Sequence, residues 1–246
     1  MQVLAVYSMK GGVGKTAAAI NLAAEAAAEG HRVLLWDLDP QAASTFYLRV
    51  KPERGGARKV LRGRADLDAL IKASDFDGLH LLPARFSFRN ADSLLSEDRR
   101  PHARFKRLLT PLEAAYDLLI FDCAPGLSLM SECVLNASGV TLIPTIPTPL
   151  SVRTVQLLAR HLADSAVPQP FLFWSMVERR KQLHRAFIGE SESLPFPILG
   201  TRIPYATHVE KMGVYRAPLR TFAARSDAGH AYAALWEEVR GLLPSR

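Results

Sequence analysis

Cysteine is scarce: Cys123 and Cys133 are the only two in 246 residues. Two are too few for a disulfide framework and fit a reducing cytosol. The pair would bind a metal only with ligands from another chain. The ordinary reading is two small buried hydrophobes. Long apolar runs are also missing, and none approaches the ~18 residues of a membrane span. The N-terminus MQVLAVYS has neither a basic region nor a cleavage site, which argues against a signal peptide. A cytoplasmic protein is expected. Acidic residues are in deficit, with 24 Asp and Glu against 31 Lys and Arg and a formal net charge of +7. That balance favours an anionic partner such as nucleic acid or anionic lipid.

What is present points to a folded domain. With 48% hydrophobic and 22% charged residues, the chain is not disordered by composition and can bury one sizeable core. Val3 to Tyr7 reads as a buried strand, Thr16 to Glu29 as an alanine-rich helix stopped by Gly30, and His31 to Trp36 as a second buried strand. Strand, glycine loop, helix and strand make a βαβ unit, so the sheet begins parallel.

Lys51 to Arg64 is rich in glycine and basic residues and reads as a surface loop. Leu79 to Leu82 reads as a strand. Phe88 to Glu97 and His102 to Ala115 look helical, with Pro101 between them. Asp117 to Asp122 reads as a buried strand ending in a carboxylate, and Val140 to Ile143 as the next strand. Pro144, Pro147 and Pro149 then break the chain before a helix from Ser151 to about Asp164. Phe171 to Met176 is a further strand, and Gly229 to Leu243 a closing amphipathic helix. The alternation predicts an α/β fold: one doubly wound domain over residues 1–246 with a mostly parallel central sheet.

The segment Lys10-Gly11-Gly12-Val13-Gly14-Lys15-Thr16 stands between the first strand and the first helix. A phosphate chain needs backbone N–H groups aimed at it and no side chains in the way, which the glycines allow. The following helix presents its positive N-terminal end. Lys15 can reach the β- and γ-phosphates, and the Thr16 hydroxyl can ligate Mg²⁺. The strict P-loop pattern wants glycine where Met9 stands, and a second lysine, Lys10, opens this loop instead.

These residues resemble the deviant Walker A motif of the ParA/MinD superfamily of P-loop ATPases. The likeness extends over nearly the whole chain. Asp37-Leu38-Asp39-Pro40-Gln41 looks like the family's second motif, and Asp117 to Pro125 like its Walker B strand and turn. The resemblance implies an ATP hydrolase that binds ATP and Mg²⁺, slow without a partner, and dimerises around two nucleotides. Lys10 matches the signature lysine that reaches the partner's phosphates. Lys15 and Asp39 join it as catalytic residues, Asp39 by positioning the attacking water. Thr16, Asp37 and Asp122 would form the Mg²⁺ shell, the two carboxylates acting through water. Gly11, Gly12, Val13, Gly14 and Ala17 complete the nucleotide loop. Trp174 to Arg180, with Met176, and Arg202 to Tyr205, with Pro204, resemble the segments beside the adenine base. Tyr205 and Ala206 depart from the family's usual Arg-Asn, Ala17 replaces a frequent threonine, and Ala124-Pro125-Gly126 replaces a double proline.

Four outputs compete within the family. A Soj-like positioning ATPase would bind DNA non-specifically as an ATP homodimer. A ParB-like or cargo-adaptor protein would release it by triggering hydrolysis. Arg179, Arg180, Lys181, Arg185, Arg202, Lys211, Arg216, Arg220 and Arg225 are the candidate phosphate contacts, with solvated surface charge as the plain alternative. A MinD-like membrane cycler needs a basic amphipathic C-terminal helix, but Glu237 and Glu238 sit on the last one. An ATPase serving a cell-envelope or secretion machine without DNA is a further alternative. A metabolic relative fits less well: an amidoligase would need a second catalytic module that the sequence does not show, and for a nitrogenase-iron-protein-like reductase Cys123 directly follows the Walker B aspartate instead of standing where a cluster ligand would. No helix-turn-helix segment precedes the first strand, so sequence-specific DNA reading is not expected. The sequence leaves the cargo open.

Overall fold

A computed structural model describes residues 1–51, 67–84 and 91–244. Apart from Lys51, the basic loop expected over 51–64 lies outside them, as does the start of the helix expected from Phe88. The first half runs β1 (Gln2–Val6), α1 (Lys15–Ala28), β2 (Val33–Asp37), α2 (Ala43–Tyr47), β3 (Lys72–Ala73), β4 (Leu79–Leu82), α3 (Ala91–Ser96) and α4 (Pro101–Leu109). It continues with β5 (Leu118–Asp122), α5 (Leu129–Ala137), β6 (Val140–Thr145), α6 (Pro149–Leu162) and β7 (Phe171–Val177). The chain closes with α7 (Gln182–Gly189), β8 (Ile198–Pro204), α8 (Thr207–Tyr215), α9 (Leu219–Phe222) and α10 (Asp227–Leu242).

Among the described residues the strands form one 8-stranded sheet in the order β3-β4-β2-β5-β1-β6-β7-β8. Every pairing is parallel except β3 with β4. The apolar runs 3–6, 33–36 and 118–121 in β1, β2 and β5 follow from coverage on both faces. Alternate side chains of β1 enter different cores: Leu4 and Val6 one, Ala5 and Tyr7 the other. The first core takes α1 and α10, through Ile20, Leu22, Tyr232, Leu235, Trp236 and Val239. The second takes α4, α5 and α6, through Phe105, Val134, Leu135, Val155 and Leu158. Cys123 and Cys133 are buried and unpaired in it.

Gly30, at φ 90, ends α1 by donating to the Ala27 carbonyl while the His31 N–H reaches Ala26, the Schellman arrangement. Pro144 does not break the chain as expected; it lies inside β6. The Tyr7 N–H donates to the Leu142 carbonyl at the end of the β1 pairing. The position two residues further along β6 therefore faces beyond β1, where no ladder donor is needed. Pro101 starts α4, and Pro149 starts α6. At the β8 edge, the Glu238 carboxylate accepts the N–H groups of Gly200 (2.8 Å) and Thr201 (2.7 Å) and also the Thr201 hydroxyl.

Candidate functional site

The site lies beyond the carboxyl ends of β1, β2 and β5, where parallel α/β sheets hold ligands. Gly12 (φ 72) and Gly14 (φ 94) take the left-handed conformation that bends the loop into α1. Gly14 is the N-cap, and no side chain among the described residues caps the helix, so the first N–H groups of α1 stay available to an anion. A Cβ at Gly14 would stand 2.9 Å from Ser175 Oγ and 3.8 Å from Met176 Cε. Met176 thus meets the loop from the end of β7, in a positive-φ conformation (φ 54) beside an irregularity in the β7–β8 pairing.

Lys15 is buried, and its Nζ donates to the Lys10 carbonyl at 3.3 Å. Burial holds its amine below the ordinary lysine range, against the pull of Asp122 and Asp39. Asp37 and Asp122 close β2 and β5 and are both fully buried. Asp37 Oδ2 accepts from the Thr45 backbone N–H (2.8 Å) and hydroxyl (2.7 Å). Asp122 Oδ2 accepts from the Ser44 hydroxyl at 2.8 Å, and the Thr16 hydroxyl lies close to this carboxylate. Burial, reinforced by the charge of Asp122, pushes Asp37 up to about 7. Burial likewise raises Asp122 to about 6, opposed by its hydroxyl partners and Lys15.

Asp122 Oδ1 is buried and has no partner among the described residues. An orphaned carboxylate oxygen beside the Thr16 hydroxyl and a second carboxylate fits a hard divalent cation that keeps most of its waters. Half-buried Asp39 is held apart from the pair by a turn: its Oδ1 accepts the Gln41 N–H (2.9 Å) and its own N–H donates to Asp37 Oδ1 (3.2 Å).

The structure therefore gathers Lys10, Gly11 to Ala17, Asp37, Asp39, Asp122 and Met176 around one loop. Pro204 ends β8 and Tyr205 follows it, with the Tyr205 N–H donating to the Val177 carbonyl, but the Tyr205 hydroxyl is spent on Glu210 (2.8 Å). The sequence reading missed Ser44 and Thr45. Two hydroxyl residues just after an Asp-x-Asp-Pro-Gln turn were the available signal.

Three of the basic candidates are engaged within the chain. Arg220 pairs with Glu25 of α1 at 2.6 Å. Arg216 donates to the Phe46 carbonyl (2.8 Å) and lies 4.6 Å above the Phe46 ring. Lys181 pairs with Glu178. Arg180, Lys211 and Arg225 are exposed, without an ion pair among the described residues.

A doubly wound sheet whose first strand opens into this lysine-flanked glycine loop, with two strand-end carboxylates below it, defines a P-loop nucleotide hydrolase. Residues 1–165 match the family described as an AAA domain. Over 255 aligned residues the chain is 30% identical to a ParA family protein of Chlamydia muridarum, covering 99% of each. It is 24% identical to the chromosome-partitioning ATPase Soj of Treponema pallidum, covering 97% of this chain and 96% of that one. Its fold matches cobyrinic acid a,c-diamide synthase of Mycobacterium smegmatis, solved with ADP and magnesium, at TM-score 0.81 and 25% identity over 98% of this chain and 94% of that one. The chain belongs to the ParA family and is an ATPase that uses ATP with Mg²⁺.

Proposed function

We propose that this ATPase is a partitioning or positioning switch: ATP closes it into a homodimer, the dimer rides on DNA without sequence preference, and a partner protein triggers hydrolysis and release. The observation that carries the reading is the double-lysine loop. Lys10 and Lys15 stand at one phosphate site, and the Lys10 ammonium has no carboxylate partner among the described residues. Two like charges at one mouth favour several phosphate charges between them, which a nucleotide shared across a dimer supplies. The partitioning name of the Treponema relative supports the same reading.

The +7 balance and the exposed Arg180, Lys211 and Arg225 supply phosphate contacts for DNA. Membrane cycling is disfavoured. The apolar stripe of α10 is buried in the domain, and no helix among the described residues is long and apolar enough to cross a membrane.

The test is binding of Asp39→Ala protein to random-sequence duplex DNA, with ATP and with ADP, across a salt series. ATP-dependent binding that weakens steeply with salt is expected. Equal binding with both nucleotides, or none at low salt, defeats the DNA reading and leaves the ATPase assignment standing.

A further inference from the structure

Helix α2 has only five residues, Ala43–Tyr47. A helix so short has no stability of its own, so its position is set by what grips it. On its inner side Ser44 and Thr45 are buried and bonded to Asp122 and Asp37. The Thr45 hydroxyl also accepts the Ala84 N–H at 2.9 Å. On its outer side Tyr47 packs on Gly213 of α8, where an added Cβ would stand 3.3 Å from Tyr47 Cε1.

Two arginines tie the ends of α2 and α8 reciprocally. Arg216, the residue after α8, donates from Nε to the Phe46 carbonyl of α2 at 2.8 Å and lays its guanidinium 4.6 Å above the Phe46 ring. Arg49, just past α2, donates from Nη2 to the carbonyl of Tyr215, the last residue of α8, at 2.7 Å, and Asp75 holds it from outside at 3.5 Å. Each helix thus receives, at its negative C-terminal end, the cation that follows the other. Both arginines are left-handed, Arg49 at φ 59 and Arg216 at φ 49, and Ala42, at φ 57, opens α2 in the same conformation. That conformation is costly for a residue with a Cβ, so the contacts of the two side chains must offset it.

We propose that Arg49 and Arg216 are positioning residues of the ATPase: their clasp fixes α2 against α8, and α2 in turn holds Asp37 and Asp122 where the magnesium shell needs them. Thr45, whose N–H is bonded to Asp37, is followed directly by Phe46, whose carbonyl is bonded to Arg216. Adjacent residues therefore connect the carboxylate to the clasp. An α2 that shifts withdraws two hydroxyls and one amide N–H from the buried pair, and ligand carboxylates depend on such outer partners for their orientation. The clasp serves the ATPase whether or not the dimer rides on DNA, and it takes Arg216 out of the candidate DNA contacts.

The test is Arg216→Gly, with Arg49→Gly and Arg216→Lys beside it. Glycine takes the left-handed conformation freely, so relief of strain offsets the lost contacts and the melting midpoint should stay near that of the wild type. In the nucleotide-free protein, hydrogen exchange at the amides of residues 44–48 should quicken about tenfold in either glycine variant, with the core strands unchanged. The magnesium concentration that half-saturates ATP hydrolysis should rise about tenfold, while KM for ATP at saturating magnesium holds. Arg216→Lys keeps a cation over the Phe46 ring and should recover part of both changes. Unchanged exchange at α2 in Arg216→Gly protein overturns the proposal. A lower melting midpoint with an unchanged magnesium requirement also overturns it, because a clasp that only packs would behave so. Weaker duplex DNA binding by Arg216→Gly protein, with exchange and magnesium requirement as in the wild type, overturns it too and returns Arg216 to a DNA surface.

Discussion

Asp37 and Asp122 end neighbouring strands in exact register, Cα opposite Cα, and neither side chain reaches solvent. Two buried carboxyls so placed hold their protons more tightly in the folded chain than in the unfolded one. The pair's contribution to the stability of the nucleotide-free protein is then fully present below about pH 4, the unfolded carboxyl value, and is lost as pH rises through about 6 and about 7. Urea midpoints between pH 5 and pH 8 should fall with pH, and Mg²⁺ with ATP should flatten the slope. Asp122→Asn should stabilise the nucleotide-free protein by about 1–2 kcal/mol while abolishing magnesium-dependent hydrolysis. A flat profile without Mg²⁺ would remove the coupling of the pair.

Gly14 carries a separate prediction. Its φ of 94 is costly for any residue with a Cβ, about 1–2 kcal/mol, and the nearest atom to an added Cβ belongs to Ser175. Gly14→Ala should lower stability by that amount and lose ATP binding. Ser175→Ala in the same chain should relieve the contact without restoring binding. Gly11→Ala, where an added Cβ meets nothing within 4 Å, should fold normally. Melting curves with and without ATP separate the three.

Hydrolysis and nucleotide retention should separate at Lys15 and Asp39. Lys15→Ala should lose nucleotide-dependent behaviour altogether. Asp39→Ala should keep MgATP, hydrolyse it about 100-fold more slowly, and accumulate as dimer, as read by sizing chromatography and phosphate release. Wild-type turnover by Asp39→Ala would refute the role given to that carboxylate.

Arg220 should prove structural. Its partner Glu25 has a side chain only 11% exposed, so Arg220→Ala strands a mostly buried charge. A loss of about 1–2 kcal/mol is expected, moderated by the half-exposed arginine, with DNA affinity and its salt slope unchanged. A shallower salt slope in this variant would put Arg220 back among the DNA contacts.

Much of this was legible in the sequence because local rules and burial agreed. The alanine-rich run before Gly30, the apolar strand before the loop and the carboxylate-ended Leu118–Asp122 each satisfy propensity and coverage at once. Pro144 misled because a proline's meaning in a strand depends on which neighbour its missing N–H would face, and that is set by where β1 ends. Strand β8 went unnamed because ILGTRIP, half exposed at a sheet edge and holding Gly200, shows no clean alternation. The roles of Ser44 and Thr45 need the fold, which carries α2 back over the ends of β2 and β5. Arg216 and Arg220 looked like free surface charge because their partners, Phe46 and Glu25, lie far away along the chain.

The grip of Glu238 on Gly200 and Thr201 reaches beyond the packing of α10. An outermost strand is a template on which other chains can pair, and here one carboxylate occupies two consecutive donors of that template. The C-terminal helix is thereby a guard against sheet-to-sheet polymerisation. Glu238→Ala would free both donors to pair with another chain while leaving the apolar packing of α10 on α1 in place.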